Sequence, residues 1–374
     1  MVNGPMNSRQ VTNIRIRGFK SIKSCDLNLG DINILIGGNG SGKSNFISLF
    51  RMLHSIIGGE LQRFVSKQGG PNSLMYLGTK ITESLDVELR FGNNGYGFRL
   101  TPTSDRKMMF DDEMFYWGGC GWKSIGAGHL ESKWNDGCGN HIDEYVQPII
   151  RDQKWRVYHF HDTGDTASVK QTHGINDNES LSTDARNLAA FLFMLRRDHE
   201  RHYNAIVRAV RMVAPYFDDF ILRPDPENER IISLEWKGVD SDVPFMATQL
   251  SDGTLRFMCL ATLLLQPVKF MPETIIIDEP ELGLHPYAIS ILSELIKKAS
   301  KARQIIISTQ SVELLNEFSV EDIIVVDHGE NGSSFSRLNE DELRLWLEDD
   351  YTVGDLWKMN LFGGRPHGKT DGVL

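Results

Sequence analysis

A glycine-rich segment, Gly37-Gly-Asn-Gly-Ser-Gly-Lys-Ser44, constrains this chain more than any other feature of its sequence. The apolar stretch Asp31–Ile36 before it predicts a buried strand, and the apolar residues of 46–57 after it repeat with the period of one helix face. A strand that turns through G-x-x-x-x-G-K-[ST] into a helix is typical of a phosphate-binding loop. The sequence therefore predicts an α/β fold with a ligand site at this turn.

The residue types of the loop indicate how it would hold phosphate. Glycines let several backbone N–H groups point inward at phosphate oxygens, and the helix N-terminus adds a partial positive charge. Lys43 is expected to reach the β- and γ-phosphates of a nucleotide, and the Ser44 hydroxyl is expected to bind Mg²⁺. The residues predicted to bind the nucleotide here are Gly37, Gly38, Asn39, Gly40, Ser41, Gly42, Lys43 and Ser44.

Two adjacent carboxylates end a second apolar stretch, Thr274–Asp278, which predicts a buried strand. Successive strand residues point in opposite directions, so Asp278 and Glu279 can have different roles. Asp278 is expected to hold Mg²⁺ through water, and Glu279 to orient and deprotonate the water that attacks the γ-phosphate. Such an acidic pair also ends ordinary strands at a solvated turn, which is the alternative.

Strand and helix patterns alternate from Leu250 to the C-terminal part of the chain, which favours a parallel sheet covered on both faces. Nearer the N-terminus, 85–91 alternates apolar and polar residues, and Asn94-Gly95 offers a hairpin turn into 96–100, so an antiparallel ribbon is predicted. Residues 102–150, rich in glycine and aromatic residues, match neither a helix nor a strand period. The later elements are predicted at 274–278, 286–300, 304–308 and 322–327.

Composition narrows the classes of function. The 374 residues include 40 Lys+Arg and 50 Asp+Glu, a net charge of −10, so any DNA contact must be local. The longest apolar stretch, 257–265, is too short to cross a bilayer, and a cytoplasmic protein without a membrane contact is predicted. No Cys-x-x-Cys pair occurs, so neither a zinc site nor a disulfide framework is indicated.

Four further motifs accompany the loop and the acidic strand end. They are Ile14–Ser21 with its Phe-Lys-Ser turn, Leu250-Ser-Asp-Gly-Thr254 before a helix, Pro280–Pro286, and Ile307–Ser311. Together these segments resemble the opening strand, signature, D-loop and switch of an ABC-type ATPase head of the RecF and SMC group. The resemblance spans essentially the whole chain and is strongest to stand-alone bacterial ATPases of this group that lack a coiled-coil arm.

This resemblance implies a P-loop NTPase fold with a mixed or parallel sheet, an antiparallel ribbon and a helical lobe. Residues 1–101 with 245–374 are expected to form the ATP-binding lobe, and 102–244 a middle lobe. ATP and Mg²⁺ are the implied cofactors. In this group two heads enclose two ATP molecules, so Ser251 and Gly253 of one copy are expected to complete the phosphate site of the other, although Ser251 can equally be a plain helix cap. The remaining implied nucleotide contacts are Lys20, Ser21 and Asn45.

The predicted function is an ATP-hydrolysing switch that forms a homodimer and acts with DNA or a separately encoded effector such as a nuclease, in DNA repair, recombination or anti-phage defence. Lys43, Glu279 and Gln310 are the implied catalytic residues. Many relatives have histidine where Gln310 stands, and an amide cannot exchange a proton near neutral pH, so slow turnover is expected. The alternative is the nucleotide-binding subunit of an ABC transporter, which the Phe19-Lys20-Ser21 turn, the signature and Gln310 disfavour.

Several weaker signals remain open. A run of arginines either contacts DNA phosphates or forms a solvated helix face, and the second interpretation is favoured. Residues 115–135 are either a partner-binding flap or a core extension. Gln68 and 158–162 are further candidates for nucleotide-sensing loops. His285 is either a second candidate for the switch histidine or a helix-start residue beside Pro286, and Arg365 is either a positioned cation or part of a polar tail. The arginines of the run are Arg196, Arg197, Arg201, Arg208 and Arg211.

Overall fold

The computed structural model describes residues 9–363 except 140, 154, 242, 342, 344–345 and 347–350. Arg365 therefore lies outside the described residues. The chain divides into two compact units: the first comprises 1–156, 272–276 and 319–374, and the second comprises 157–271 and 277–318. The predicted middle lobe, 102–244, is divided between these units.

The helices are numbered in chain order. They are α1 (Lys43–Ile57), α2 (Leu61–Lys67), α3 (Pro71–Leu74), α4 (Ile142–Gln153), α5 (Leu188–Asp198), α6 (Glu200–Val213), α7 (Asp252–Leu265), α8 (Pro286–Ser300), α9 (Val312–Leu315) and α10 (Val353–Lys358). Among the described residues, none of the helices is both long enough and apolar enough to cross a membrane.

The strands are numbered in the same way. They are β1 (Asn13–Phe19), β2 (Ile22–Asn28), β3 (Ile32–Ile36), β4 (Leu85–Phe91), β5 (Asn94–Pro102), β6 (Met108–Trp117), β7 (Gly121–Gly126), β8 (Arg156–Tyr158), β9 (His173–Gly174), β10 (Phe217–Ile221), β11 (Ile231–Ile232), β12 (Glu235–Gly238), β13 (Phe245–Met246), β14 (Thr274–Asp278), β15 (Gln304–Thr309), β16 (Ile323–Gly329) and β17 (Gly332–Arg337).

An antiparallel sheet forms much of the first unit, with the strand order β2-β1-β4-β5-β6-β7. The predicted ribbon is its β4–β5 hairpin, but the turn was placed wrongly. Phe91 pairs with Asn94, so the turn residues are Gly92 and Asn93 rather than Asn94 and Gly95. Gly92 has φ +60°, which glycine adopts without a steric cost. Asn94 is buried within β5.

The aromatic segment that matched no period contains β6, β7 and α4. In the β5–β6 pair Arg99 lies opposite Asp112 while Leu100 lies opposite Phe110, so Asp111 is an extra residue in the ladder. A bulge of this kind shifts the two-residue period from one face of the strand to the other. Buried residues therefore fall on even numbers before the bulge (Met108, Phe110) and on odd numbers after it, which hides the strand pattern in the sequence.

A buried carboxylate fastens the segment that follows β7. Glu113 is fully buried: its Oε1 accepts a hydrogen bond from the Tyr96 hydroxyl at 2.6 Å, and its Oε2 accepts one from the Lys133 N–H at 2.8 Å. His129 Nε2 lies 2.8 Å from the same Oε2, and the imidazole stacks on Phe110. Burial, followed by the charge of Glu113, raises the pKa of Tyr96 well above its ordinary value. In the first unit, these residues are part of a packed extension of the sheet.

The rest of the first unit positions the glycine-rich loop. Strand β16 pairs in parallel with β3, with Ile323 opposite Ile34 and Val325 opposite Ile36, and in antiparallel fashion with β17. All five residues of β3 are buried. The chain leaves this buried strand at Ile36 and enters α1 at Lys43, so the loop between them has fixed ends.

The second unit combines helices α5 to α8 with a small antiparallel sheet in the order β10-β12-β13. Almost every side chain of α7 is buried, which explains its continuous apolar sequence. At the end of β14 the chain runs beside β15, because the Glu279 N–H donates to the Ser308 carbonyl at 2.9 Å. This pairing brings the residues that follow both strands to one edge of the unit.

Candidate functional site

The loop after β3 is closed so tightly that side chains are excluded at two of its glycines. A Cβ at Gly37 would lie 2.2 Å from the Val326 carbonyl oxygen, and one at Gly42 would lie 2.2 Å from Ser333 Oγ. Gly42 also has φ +119°, which side-chain-bearing residues rarely adopt. At Gly40, by contrast, nothing lies within 4 Å of the Cβ position. The loop is therefore packed on its inner side and open at Gly40.

Lys43 and the start of α1 give the loop its charge. Lys43 is buried, and its Nζ donates to the carbonyl oxygens of Gly37 at 2.5 Å and Gly38 at 3.1 Å. The N-cap residue of α1 is Gly42, which has no side chain with which to cap the helix. The first N–H groups of a helix have no acceptor within the helix, and phosphate oxygens are suitable acceptors for them. Ser44, in the first turn, is exposed, so the residues present fit a bound polyphosphate.

Ser333, at the start of β17, supports this loop and was not predicted from the sequence. Its Oγ lies 2.6 Å from the Ser41 carbonyl oxygen and 2.7 Å from Ser21 Oγ. Ser21 Oγ in turn accepts from Asn45 Nδ2 at 2.7 Å. Ser21 and Asn45, both predicted nucleotide contacts, are thus joined in the first unit. No local signal marks Ser333, because its contact with Ser41 spans 292 positions of the chain.

A cavity of about 720 Å³ adjoins these residues, and Lys20, Ser21 and Asn45 are among its lining residues. Lys20 Nζ donates to Ser48 Oγ at 2.7 Å and to Gln68 Oε1 at 2.9 Å. Burial lowers the pKa of Lys20, and the nearby Arg51 lowers it further. The cavity has the size of ordinary small-ligand sites. Gln68, a weak candidate from the sequence, holds the Lys20 side chain through the hydrogen bond to its Oε1.

In the second unit, two neighbours hold Asp278. The Ser308 hydroxyl donates to Asp278 Oδ1, and His161 Nε2 donates to the Asp278 carbonyl oxygen at 3.0 Å. His161 belongs to the 158–162 stretch that the sequence analysis marked as a candidate. The carboxylate of Asp278 is thereby oriented, and its half-buried position leaves it accessible.

Glu279 and Gln310, both predicted to be catalytic, contact each other. Gln310 Nε2 donates to Glu279 Oε1 at 2.8 Å. Glu279 has φ +43°, a left-handed conformation that a non-glycine residue adopts at a cost of order 1–3 kcal/mol. Strain of this kind persists only where the surroundings impose it, and it is common at functional sites. The structure thus places a carboxylate, carried on a strained stretch of backbone, beside an amide.

Glu281 supports this pair and was not singled out by the sequence analysis. Its Oε1 accepts from the Thr309 hydroxyl at 2.5 Å and from the Gln310 N–H at 3.3 Å, whereas its Oε2 is buried without a partner among the described residues. Burial raises the pKa of Glu281, and the Thr309 hydrogen bond opposes that rise. Glu281 therefore fixes the backbone from which Gln310 projects.

The signature segment begins α7. Ser251 Oγ accepts from the Thr254 N–H at 3.2 Å, so Ser251 is the N-cap of the helix, as the simpler interpretation of this residue requires. Gly253 lies against the backbone of the D-loop, since a Cβ there would be 2.4 Å from the Gly283 carbonyl oxygen. Ser251 is exposed. Its hydroxyl also donates to Thr254 Oγ1 at 2.9 Å, so donating to a further group requires this hydrogen bond to be exchanged.

Arg256, one turn into α7, connects the signature helix to the rest of this cluster. Its guanidinium donates to the carbonyl oxygens of Phe160 at 2.8 Å and His161 at 3.2 Å, and to that of Leu282. Because His161 also holds Asp278, the start of α7 and the end of β14 share a neighbour. His285 caps α8 through its Nδ1, which accepts from the Tyr287 N–H at 3.2 Å.

Each unit, taken by itself, offers an oxygen of the kind that binds Mg²⁺, namely Ser44 in the first unit and Asp278 in the second. Hydroxyl and carboxylate oxygens, such as those of Ser44 and Asp278, are the ligands Mg²⁺ prefers, and this ion is held mainly by substrate phosphates and water rather than by a protein cage. Across the described residues, no group of three or more His, Cys, Asp or Glu side chains is arranged to hold a metal.

Comparison with known proteins identifies the family. A family model described as "AAA domain, putative AbiEii toxin, Type IV TA system" matches residues 32–109 and 143–316. These ranges make up more than half of the chain and include the glycine-rich loop and the Asp278–Gln310 region. The chain belongs to this AAA-domain family.

Solved structures show that this AAA-domain chain has the fold of an SMC head. One similar structure is an SMC head bound to the C-winged helix domain of ScpA, which is 18% identical in sequence and superposes with a TM-score of 0.61. The match covers 90% of the present chain and 99% of the SMC head. An Smc head with an extended coiled coil, bound to the C-terminal domain of ScpA derived from Pyrococcus furiosus, is 15% identical, with coverage of 91% and 99% and a TM-score of 0.58. The predicted α/β P-loop fold and the resemblance to the RecF and SMC group are confirmed.

A curated relative is the phosphate import ATP-binding protein PstB of Malacoplasma penetrans (strain HF-2). It is 27% identical over 117 residues, which represent 30% of this chain and 39% of that protein. The similarity therefore spans about two fifths of that relative's length.

Proposed function

We propose that this chain is an ATP-hydrolysing switch in which two copies close around two molecules of ATP. The observation that carries the proposal is the closed loop of 37–44, in which Lys43 and an uncapped helix start converge. Main-chain N–H groups and a buried lysine bind the triphosphate, and Lys20, Ser21 and Asn45 line the neighbouring cavity that holds the nucleoside.

Hydrolysis in this proposal depends on Glu279. The carboxylate accepts a proton from the attacking water, while the Gln310 amide, 2.8 Å from Glu279 Oε1, holds that water or the carboxylate in orientation. Ser44 and Asp278 would hold Mg²⁺, which neutralises charge on the phosphates when it is bound. An amide in the switch position does not relay protons near neutral pH, so turnover is slow.

Dimer formation follows from the exposed signature. Ser251 and the Gly253 N–H at the start of α7 of one copy bind the γ-phosphate held by the other copy. Since the γ-phosphate gains these contacts only in the dimer, ATP shifts the equilibrium toward it. Arg256 transmits this contact toward Asp278, because its guanidinium bonds both the D-loop and the segment that holds Asp278.

The switch acts on DNA or on a separately encoded effector, such as a nuclease, in DNA repair, recombination or anti-phage defence. The similar SMC heads are bound to domains of a separate protein, ScpA, which supports an effector encoded elsewhere. The family description, which names a toxin of a type IV TA system, supports the defence role. The second candidate is a nucleotide-binding subunit of a transporter. The similarity to PstB supports it, but that similarity extends over only 30% of the chain.

Calorimetry with Mg-ATP tests the proposal directly. The parent chain should bind ATP, and Lys43→Ala should bind it at least about a hundredfold more weakly, because a charged contact to phosphate is lost from a buried position. Lys67→Ala, which removes an exposed lysine of the same unit, is the matched control and should bind like the parent. Equal binding by Lys43→Ala and the parent would rule out the loop as the nucleotide site.

Light scattering tests the dimer separately. Glu279→Gln should be monomeric without nucleotide and dimeric with Mg-ATP, because binding is retained while hydrolysis, which opens the dimer, is blocked. If this variant binds ATP but stays monomeric, the dimer is ruled out, whereas the proposed ATP-binding site is not.

A further inference from the structure

A second cavity, of about 430 Å³, lies in the second unit. Residues of α6, the end of α7 and the end of α8 line it. The cavity shares no lining residue with the cluster around Glu279. Its size falls within the range of sites that hold small organic molecules.

Three cations line this cavity: Arg201, Arg208 and Lys298. Arg201 and Arg208 are seven positions apart, and therefore lie on the same face of α6. Over the part of the chain that the structure describes, no carboxylate pairs with any of the three. All three side chains are exposed, and like charges gathered without counter-ions favour an anionic ligand.

The other arginines of the same run show a different arrangement. Arg197 pairs with Asp198 at 2.8 Å, and Arg211 pairs with Asp218 at 2.7 Å. Arg196 donates to the Leu222 carbonyl oxygen at 2.5 Å. These three have intramolecular partners, as expected for an ordinary helix surface, whereas for Arg201 and Arg208 the described part of the chain supplies none.

The cavity also has an apolar part and a polar one. Leu264, Val268 and Met271 are apolar residues of its lining. His202 Nδ1 donates to the Leu265 carbonyl at 2.7 Å, which leaves Nε2 for another partner. Gln266 is 1% exposed, its Nε2 donates to the Leu263 carbonyl at 2.8 Å, and its Oε1 has no donor among the described residues. A ligand of mixed polarity suits this lining.

We propose that this cavity binds a small organic phosphate, namely a nucleoside 5′-monophosphate group, either free or at the 5′ end of a nucleic-acid strand. Arg201, Arg208 and Lys298 hold the phosphate, because guanidinium and ammonium groups form the strongest hydrogen bonds to phosphate oxygens. The nucleoside lies on the apolar lining, and its N–H groups can supply Gln266 with the donor it lacks. The proposal uses no residue of the glycine-rich loop and does not depend on ATP hydrolysis.

Calorimetry with AMP tests it in two forms of the protein: the Lys43→Ala variant, and the parent saturated with a non-hydrolysable Mg-ATP analogue. AMP should bind in both. Arg201→Gln combined with Arg208→Gln should weaken AMP binding about tenfold or more, because two charged phosphate contacts are lost. Lys297→Gln combined with Arg197→Gln removes two paired cations outside the cavity, and this matched control should bind AMP like the parent.

A trinucleotide with a 5′-phosphate and the same trinucleotide with a 5′-hydroxyl distinguish the two sources. Tighter binding of the phosphorylated trinucleotide than of AMP assigns the cavity to a strand end, and weaker or equal binding assigns it to a free nucleotide. Three results overturn the proposal: no AMP or trinucleotide binding, inorganic phosphate that binds as tightly as AMP, or unchanged binding by the Arg201/Arg208 variant. ATP binding by the Arg201/Arg208 variant is measured alongside. If it is unchanged, failure of the proposed phosphate site does not count against the glycine-rich loop as the ATP site.

Discussion

The glycine-rich loop of the first unit and the carboxylate cluster of the second hold their functional groups in different ways. The loop depends on its backbone: glycines at 37 and 42 lie against Val326 and Ser333 with no room for a Cβ. The cluster depends on side chains, with Ser308 bonded to Asp278, Gln310 to Glu279 and Thr309 to Glu281. Changes of backbone shape should therefore abolish the function of the loop, whereas the cluster can be altered one group at a time.

The largest effect is expected from Glu279→Gln, which replaces the base and preserves the shape of the cluster. The amide oxygen can still accept from Gln310 Nε2, but it cannot take a proton. Steady-state ATPase activity should fall about 10²- to 10⁴-fold while ATP binding is retained. Glu294→Gln, which changes an exposed carboxylate of α8, is the control. A rate like that of the parent would show that the cluster is not the hydrolytic centre.

Gly42→Ala tests whether the loop depends on backbone shape. The new Cβ would lie 2.2 Å from Ser333 Oγ at a residue with φ +119°, so a loss of at least about 2 kcal/mol in the free energy of unfolding is expected, with loss of ATP binding. Gly40→Ala is the matched control, because its φ of +79° carries strain but no atom lies within 4 Å. Equal melting temperatures for the two variants would contradict the packed inner side of the loop.

Ser251 allows the cap and the proposed phosphate contact to be separated. Ser251→Ala should lose about 1 kcal/mol of stability, because the Thr254 N–H loses its acceptor. Ser251→Asp should keep the cap and the melting temperature, since aspartate caps as well as serine does. Its negative charge should nevertheless prevent the ATP-dependent dimer in light scattering, owing to repulsion from the γ-phosphate. If Ser251→Asp still forms the ATP-dependent dimer, Ser251 acts only as the N-cap of α7 and does not contact the γ-phosphate.

The smallest effect is expected from Glu281→Gln and depends on pH. The raised pKa of Glu281 means that the folded protein binds this proton more tightly than the unfolded chain does. This carboxyl therefore contributes stability that is present below its ordinary value of 4.5 and lost as the pH rises through the raised value. The melting temperature of Glu281→Gln, relative to the parent, should increase as the pH rises above 4.5.

Thr309→Val should change the dependence of stability on pH in the direction opposite to that of Glu281→Gln. The variant removes the hydroxyl that stabilises the ionised form of Glu281, so its stability should fall more steeply with pH than that of the parent. Parallel pH profiles for the parent and both variants would show that Glu281 does not titrate in this range.

Elements whose signals are local were predicted well. The helix at 286–300 was predicted with the bounds of α8, since Pro286 starts it and its apolar period is regular. The hairpin turn was placed two residues too late, because Asn94-Gly95 and Gly92-Asn93 both have turn residues and only the pairing with β5 selects between them. Strand β6 was missed, because the extra residue at Asp111 shifts its period.

The sequence by itself determined the loop of 37–44, the acidic strand end and the signature, because each consists of neighbouring residues whose types specify a backbone shape or a helix start. Only the tertiary structure decided which side chains support them. Ser333 contacts Ser41 across 292 positions, and Gln310 contacts Glu279 across 31. It also decided which arginines of the run pair with a carboxylate, as Arg197 and Arg211 do. Such contacts arise when distant segments pack, and no local pattern encodes that packing.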